Sequence, residues 1–397
     1  MTPRYDAVVV GGGVVGLAIA WELVRSGRDV RLVDPAPASG ATYAAAGMIT
    51  PISEHRPTEP ALHALALASA ARYPAFLAGL PGGELCGFEE AETLLLAVDD
   101  ADRGALELLV ARASAPIEPV ALREARRREP LLGPRATMAR RITEHRIDPR
   151  ALADRLRAAL GDRIERQRVR GILHEDPGDP ASPVAGVRLA EGTVLGSDRV
   201  VVANALGARD LDGMPFVPAL RPVYGDILRL DVPSHLSPFL TSTVRALVRG
   251  ASVYLVPRQD GTLVIGATQR EHGHHAHGGP AHGDPAHGDD AHGGRGVSAG
   301  GVYELLRDAS AVVPAVAELT LLEATARARP TTPDNAPLLG EACPGLILAT
   351  GFGRHGVLLA PAAADALRML LDGGPSPQLT PFRPDRFTDR PVPVEVS

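Results

Sequence analysis

Residues 5–10 close on three valines and read as a short buried strand. The glycine run GGGVVG follows. Residues 17–26 then place Ala18, Ile19 and Leu23 on one stripe of a helix that Gly27 ends. Residues 29–33 make a second strand with Asp34 at its end. Further along, the apolar pattern predicts a helix over 60–80, with Leu62, Leu65, Leu67 and Tyr73 as apolar positions. It predicts a strand over 93–98, a helix over 101–115, and a helix over 151–160 that Asp148 caps ahead of Pro149. A strand over 200–203 leads into Asn204-Ala205-Leu206-Gly207. Residues 253–258 and 262–267 flank Gln259-Asp260-Gly261 as a hairpin. Residues 301–309 and 311–319 read as two helices separated around Pro314. Residues 346–350 form a buried strand, 351–356 a turn, and 357–371 an apolar helix. Strand and helix alternate at both ends of the chain, which predicts an α/β fold.

Gly11, Gly13 and Gly16 have Gly-X-Gly-X-X-Gly spacing inside a strand–turn–helix unit. Gly11 permits the tight turn, Gly13 lets backbone approach a pyrophosphate, and Gly16 lets helix and strand pack closely. The pyrophosphate meets the unpaired N–H groups of the helix start. Asp34 is placed to accept ribose hydroxyl hydrogens, and its charge disfavours the 2′-phosphate of NADP. A glycine-rich turn alone is weak, but strand, helix, strand and terminal acid together point to a dinucleotide site. This unit leaves NAD and FAD open. Residues 41–48, ATYAAAGM, are either a bed on which a flat cofactor lies against backbone or an alanine-rich loop. The turn at 351–356 aims a second helix start at a ligand.

The length of 397 residues fits two to three domains, and 45% apolar content excludes wholesale disorder. All 41 basic residues are arginine, and the net charge is −6, against bulk attraction to nucleic acid or anionic lipid. Aromatics at 4% supply little stacking surface for bases. Cys86 and Cys343 cannot build a disulfide framework or a cysteine-rich metal site. No run reaches the length of an uncharged membrane span, and the amino end lacks a signal-peptide cleavage pattern. A soluble cytoplasmic protein is the expectation. Residues 271–295 differ from the rest: four pentads beginning Ala-His-Gly follow EHGHH and bring seven histidines together with almost no apolar content. The tract reads as a low-complexity insertion that leaves the fold intact, with loose binding of nickel, copper or zinc as the alternative. It does not have the spacing of a closed zinc site.

YDAVVVGGGVVGLAIAWEL, the terminal acid and AAAGM resemble the amino end of the glycine oxidases of the ThiO type, among the D-amino-acid-oxidase-like FAD enzymes. The resemblance covers about residues 4–370, apart from the histidine tract. It implies FAD, held noncovalently, on Gly11, Gly13, Val14, Val15, Gly16, Asp34 and Pro35. It adds Ala41, Thr42, Ala46, Gly47 and Met48 along the pyrophosphate and flavin, and Val169 on the adenine side. Gly207 lies where ANALG departs from the family's shorter loop. ATGFGRHGVLLAPAAA resembles ATGHFRNGILLAPATA, which implies flavin contacts at Phe352, Gly353, Arg354, His355, Gly356, Val357 and Leu358.

On pattern alone Tyr254 is a tyrosine on a half-buried strand, and Arg327 and Arg329 belong equally to a strand edge or a site. YLVPRQDGTLVIGAT resembles the family's substrate hairpin, which puts Tyr254 on the substrate side. Gln269 stands where the family has methionine. The stretch ending ARPTTPDN resembles Trp-Ala-Gly-Leu-Arg-Pro-Gly-Thr-Pro-Asp-Gly without its tryptophan and first glycine. The arginine that grips the substrate carboxylate there is matched by Arg329, and Arg354 is implied at the substrate too. Tyr254, Arg329 and Arg354 are therefore the expected catalytic residues.

The implied fold is a Rossmann-like FAD domain (1–85, 145–215 and 325–385) with an α+β substrate domain on a mostly antiparallel sheet (86–144 and 216–324). The implied reaction is oxidative deamination of glycine, sarcosine or small D-amino acids, with oxygen reduced to hydrogen peroxide. Transfer of electrons to another acceptor and a metal-buffering flavoprotein are the alternatives. Small amino acid and oxygen are the expected partners, with no nucleic acid and no membrane, and a homo-oligomer left open.

Overall fold

The computed structural model describes residues 3–271, 296–374 and 377–388, so the histidine tract lies outside the described residues. Ala7–Val10 is buried on both faces, as a central strand of a parallel sheet must be. Its neighbours are Val30–Val33 and Val200–Val202, both parallel to it. Ile164–Glu165 extends the sheet beyond Val30–Val33, and Leu346–Thr350 extends it beyond Val200–Val202. Leu338–Cys343 closes that edge antiparallel, giving six strands. The helix Val14–Arg25 begins directly after Gly13, three residues ahead of the stripe seen in the sequence. Residues 14–23 are all buried, because the helix is sandwiched between the sheet and the helix Gly356–Leu371. Trp21 lies there edge-on to Phe76, with ring centroids 5.0 Å apart. Phe76 belongs to the helix Pro60–Gly79, which donates from Tyr73 Oη to the Val357 carbonyl (2.5 Å) and from Ser69 Oγ to the Leu358 carbonyl (2.6 Å). Truncating a buried member of this core such as Leu17 is expected to cost about 2–5 kcal/mol.

The second sheet has nine strands, in the order Thr320–Thr331, Arg221–Asp231, Thr262–Gly266, Ala251–Pro257, Thr243–Val248, Glu89–Ala97, Met138–Arg146 and Met48–Ile49, with Glu118–Val120 paired to Met138–Arg146. All its pairings are antiparallel except Thr243–Val248 with Glu89–Ala97. It has its own apolar core, including Leu228, Leu255, Ile265 and Val312. A three-stranded antiparallel sheet, Val169–His174, Val184–Leu189 and Val194–Gly196, completes the set. The α/β architecture is thus the one the patterning predicts, and the mostly antiparallel second sheet is the one the family resemblance implies.

Two details differ. Residues 299–312 form one helix, and only a 3-10 turn, Pro314–Glu318, follows. Proline pushes the residue before it out of the helical region, and Val313 sits at φ −128°, ψ 89°. Thr320–Thr331 pairs with Arg221–Asp231 from end to end apart from one bulge at Leu322, so Arg327 and Arg329 are carried by the nine-stranded sheet.

Candidate active site

Strand Ala7–Val10 delivers the chain to Gly11, whose φ of +109° favours glycine, and a Cβ there would lie 2.5 Å from the backbone of Ala203 and Asn204. A Cβ on Gly16 would run into the Gly11 carbonyl. Both glycines shape the turn from behind. Gly13 caps the helix in an extended conformation without a side-chain cap. The Val14 amide donates to Thr42 Oγ1 (2.9 Å), whereas the amides of Gly13 and Val15 have no acceptor among the described residues. Asp34 is buried and accepts from the amides of Gly12 (2.6 Å) and Ala36 (2.7 Å). Open amides at the positive end of a helix beside a fixed carboxylate are the donor set and acceptor set of a pyrophosphate and ribose site. Asn204 lines the same space, and its buried side-chain oxygen has no partner among the described residues.

That space is a cavity of about 570 Å³ lined by both large sheets. Of the expected cofactor residues, Gly13, Val14, Val15 and Asp34 line it, as do Ala41, Thr42, Ala46, Gly47 and Met48. Phe352, Gly353, Arg354, Gly356 and Val357 line it from the C-terminal turn. Gly11, Gly16, Pro35, Val169, Gly207, His355 and Leu358 are not among the lining residues. Pro35 is exposed, Val169 is a buried member of the three-stranded sheet itself, and His355 and Leu358 are buried. Ala203, Asn204 and Ala205 line the cavity from the loop that holds Gly207.

The facing wall is the nine-stranded sheet. Two glycines there make room for the two side chains. A Cβ on Gly225 would sit 2.6 Å from Arg329 Cζ and 2.7 Å from Nη1, so the guanidinium lies flat over Gly225. A Cβ on Gly266 would sit 2.6 Å from Tyr254 Cζ, so the phenol lies over Gly266. Both side chains face the cavity. The Arg329 guanidinium makes no hydrogen bond or ion pair among the described residues. Burial pushes the Tyr254 hydroxyl up to about 12, with Arg329 opposing the shift, so it is a donor at neutral pH. Gln269 also lines the cavity. Arg327 lines the cavity too, but its guanidinium is engaged, donating to the carbonyls of Ser39 (3.1 Å) and Ala326 (2.8 Å).

Arg354 is placed at the cavity but is not free. Its Nη2 donates to Glu59 Oε2 at 3.1 Å and to the Glu54 carbonyl at 3.3 Å. Glu54 is itself paired with Arg245 at 2.7 Å. Burial raises the Glu54 carboxyl, but Arg245, His355 and Arg354 outweigh it and hold the group at about 2. Burial, with Arg354 beside it, pulls His355 down to about 3, so its imidazole is neutral 3.7 Å from Glu54. The loop carrying Glu54 is fixed by Glu144, which accepts from the amides of Ile52 and Ser53 (3.0 Å each) and from Ser53 Oγ (2.6 Å). Sequence reasoning missed Glu54, Glu59, Arg245 and Glu144. The one local signal was the charged stretch EHRPTE just beyond the small-residue run. Among the described residues no cluster of His, Cys, Asp and Glu has the makings of a metal site, and no helix is long and apolar enough to cross a membrane.

A helix start open to a pyrophosphate, facing a sheet that presents substrate-sized polar groups, makes this a dinucleotide-dependent enzyme. The chain belongs to the FAD dependent oxidoreductase family, whose model matches residues 6–370, and its dinucleotide is FAD. It is 32% identical to a glycine oxidase of Geobacillus kaustophilus over 91% of each chain. The crystal structure of glycine oxidase from Geobacillus kaustophilus superposes with a TM-score of 0.81 at 28% identity, covering 97% of this chain and 99% of that one. A bifunctional protein ThiO/ThiG of Trichormus variabilis is 28% identical over 96% of this chain but only 55% of its own length. The chain therefore spans about half the length of the bifunctional relatives it matches.

Proposed function

We propose that the protein oxidises glycine, with sarcosine and small D-amino acids as further substrates, in the thiazole branch of thiamine biosynthesis. The observation that carries this reading is Arg329, a guanidinium without a partner among the described residues, held flat over Gly225 and facing the cavity beside Tyr254. A planar guanidinium without a protein partner suits a bidentate carboxylate. Names of relatives across nearly the whole chain support the same reading. Arg329 binds and orients the α-carboxylate, and the Tyr254 hydroxyl donates from the same wall. FAD, when bound, accepts the α-hydrogen as hydride. No side-chain base is required of an amine that arrives neutral, and the neutral His355 is buried behind the turn. Catalysis then rests on orientation and electrostatics. Water converts the resulting imine of glycine to glyoxylate and ammonia, and oxygen takes the electrons as hydrogen peroxide.

Gln269 favours a second reading within the same chemistry: an amide in the wall where the family has methionine suits sarcosine or D-alanine. The test is anaerobic mixing of the holoenzyme with glycine, sarcosine and D-alanine, following flavin bleaching, then admission of air. Bleaching followed by peroxide is expected. Absence of bleaching with all three overturns the proposal, and the ratio of reduction rate to Kd ranks the substrates.

A further inference from the structure

The cavity wall carries more positive charge than one carboxylate answers. Arg56, Arg221, Arg245, Arg327, Arg329 and Arg354 all line it; Arg221 is paired with Glu271, and Arg327 donates to the carbonyls of Ser39 and Ala326. Two carboxylates, Glu54 and Glu59, pair with two of the other four. Glu54 is taken by Arg245 at 2.7 Å. Glu59 is taken by Arg354 at 3.1 Å and by the Asn335 amide at 2.9 Å. Arg56 reaches Glu59 only at 3.8 Å, beyond hydrogen-bonding range, and donates to no group among the described residues. Its guanidinium is pulled below the usual range by burial and by Arg354 alongside it. Arg56 and Arg329 are thus left without a hydrogen-bonded carboxylate among the described residues, in a protein whose net charge is −6. The carboxylate bound at Arg329 uses one of the two.

We propose that Arg56, with Arg354 behind it, is a second anion subsite in the same cavity, and that the enzyme also oxidises amino dicarboxylates. This rests on the amine-oxidation reading above. An anion there relieves the repulsion between Arg56 and Arg354, which Glu59 only partly offsets. The second carboxylate reaches the subsite either through the amine nitrogen, as in iminodiacetate, or through the α-carbon, as in D-aspartate. In both, the α C–H bond breaks, its hydride passes to FAD, and the amine proton passes to water. Hydrolysis of the imine gives glyoxylate and glycine from iminodiacetate, or oxaloacetate and ammonia from D-aspartate. Oxygen then takes two electrons and two protons to become hydrogen peroxide.

The test compares each dicarboxylate with its neutral counterpart in stopped-flow reduction of the holoenzyme: iminodiacetate with sarcosine, and D-aspartate with D-alanine. At least one dicarboxylate is expected to exceed its counterpart in reduction rate over Kd. That ratio is expected to fall about three- to thirtyfold in Arg56→Gln, between the worth of an exposed and a buried ion pair. Flavin content checks that the variant is folded, and Arg56→Lys, which keeps the charge, is expected to retain part of the preference. Neutral amines that bleach the flavin while both dicarboxylates lag them overturn the subsite alone, as does a ratio unchanged in Arg56→Gln. Failure of every amine to bleach the flavin overturns the proposed function itself.

Discussion

Gly225→Ala is expected to disable substrate binding without touching any group that meets substrate. The new Cβ would stand 2.6 Å from Arg329 Cζ, with Nη2 closer still. Ordinary carbon contacts begin near 3.5 Å, so the guanidinium must move by about 1 Å. A displacement of about 1 Å in a positioning group costs on the order of 100-fold, or about 2.7 kcal/mol, in kcat/KM. The strand itself is spared, because the obstacle is the far end of a flexible side chain, and alanine fits an extended backbone. Unfolding free energy is expected to stay within about 1 kcal/mol of wild type. Steady-state peroxide production across glycine concentrations should show the loss mainly in KM, with the flavin spectrum unchanged. A folded, FAD-loaded Gly225→Ala with wild-type KM would refute the idea that the bed beneath Arg329 sets carboxylate binding.

Arg329→Ala is expected to lower kcat/KM by tens- to thousands-fold, about 2–5 kcal/mol, with FAD retained, while Arg327→Ala is milder; equal effects in KM measurements would reverse their assignment. Acid precipitation is expected to release the flavin to the supernatant, because Cys86 and Cys343 are both buried away from the cavity lining; flavin left on the pellet would contradict this. Acid is expected to destabilise the fold. His355 at about 3 and Glu54 at about 2 are both depressed relative to the unfolded chain, so between about pH 6.5 and 2 the unfolded state binds more protons and stability falls with pH. His355 alone contributes a loss on the order of 2 kcal/mol by pH 4.5, and a Tm unchanged from pH 7.5 to 4.5 in calorimetry would sink the assignment.

The amino-terminal unit was legible because its chemistry is local: turn, helix start and acid lie within 34 residues and each glycine answers a nearby atom. Arg329 and Tyr254 were reached through resemblance, since their own spacing fits an ordinary strand equally well. Gly225 and Gly266 carry no signal in the sequence, because what they accommodate lies across a strand boundary. The ion pairs around Glu54 were illegible for a related reason: Arg245 is 191 positions away and Arg354 is 300. Arg354 stood out in the turn motif, but nothing nearby announced the carboxylates that hold it. Val169 and Gly207 were placed by alignment of motifs, and the cavity draws instead on Ala203, Asn204 and Ala205.

Trp21, packed against Phe76, is the chain's one tryptophan, and it lies in the helix whose first residues face the cavity. Its emission therefore watches only half of the molecule. Loading with FAD should dim it by energy transfer to the flavin, giving a titration signal that needs no label. The core around Leu228 and Leu255 is invisible at that wavelength. A melt followed by fluorescence and one followed by far-ultraviolet circular dichroism will coincide only when both sheets come apart together.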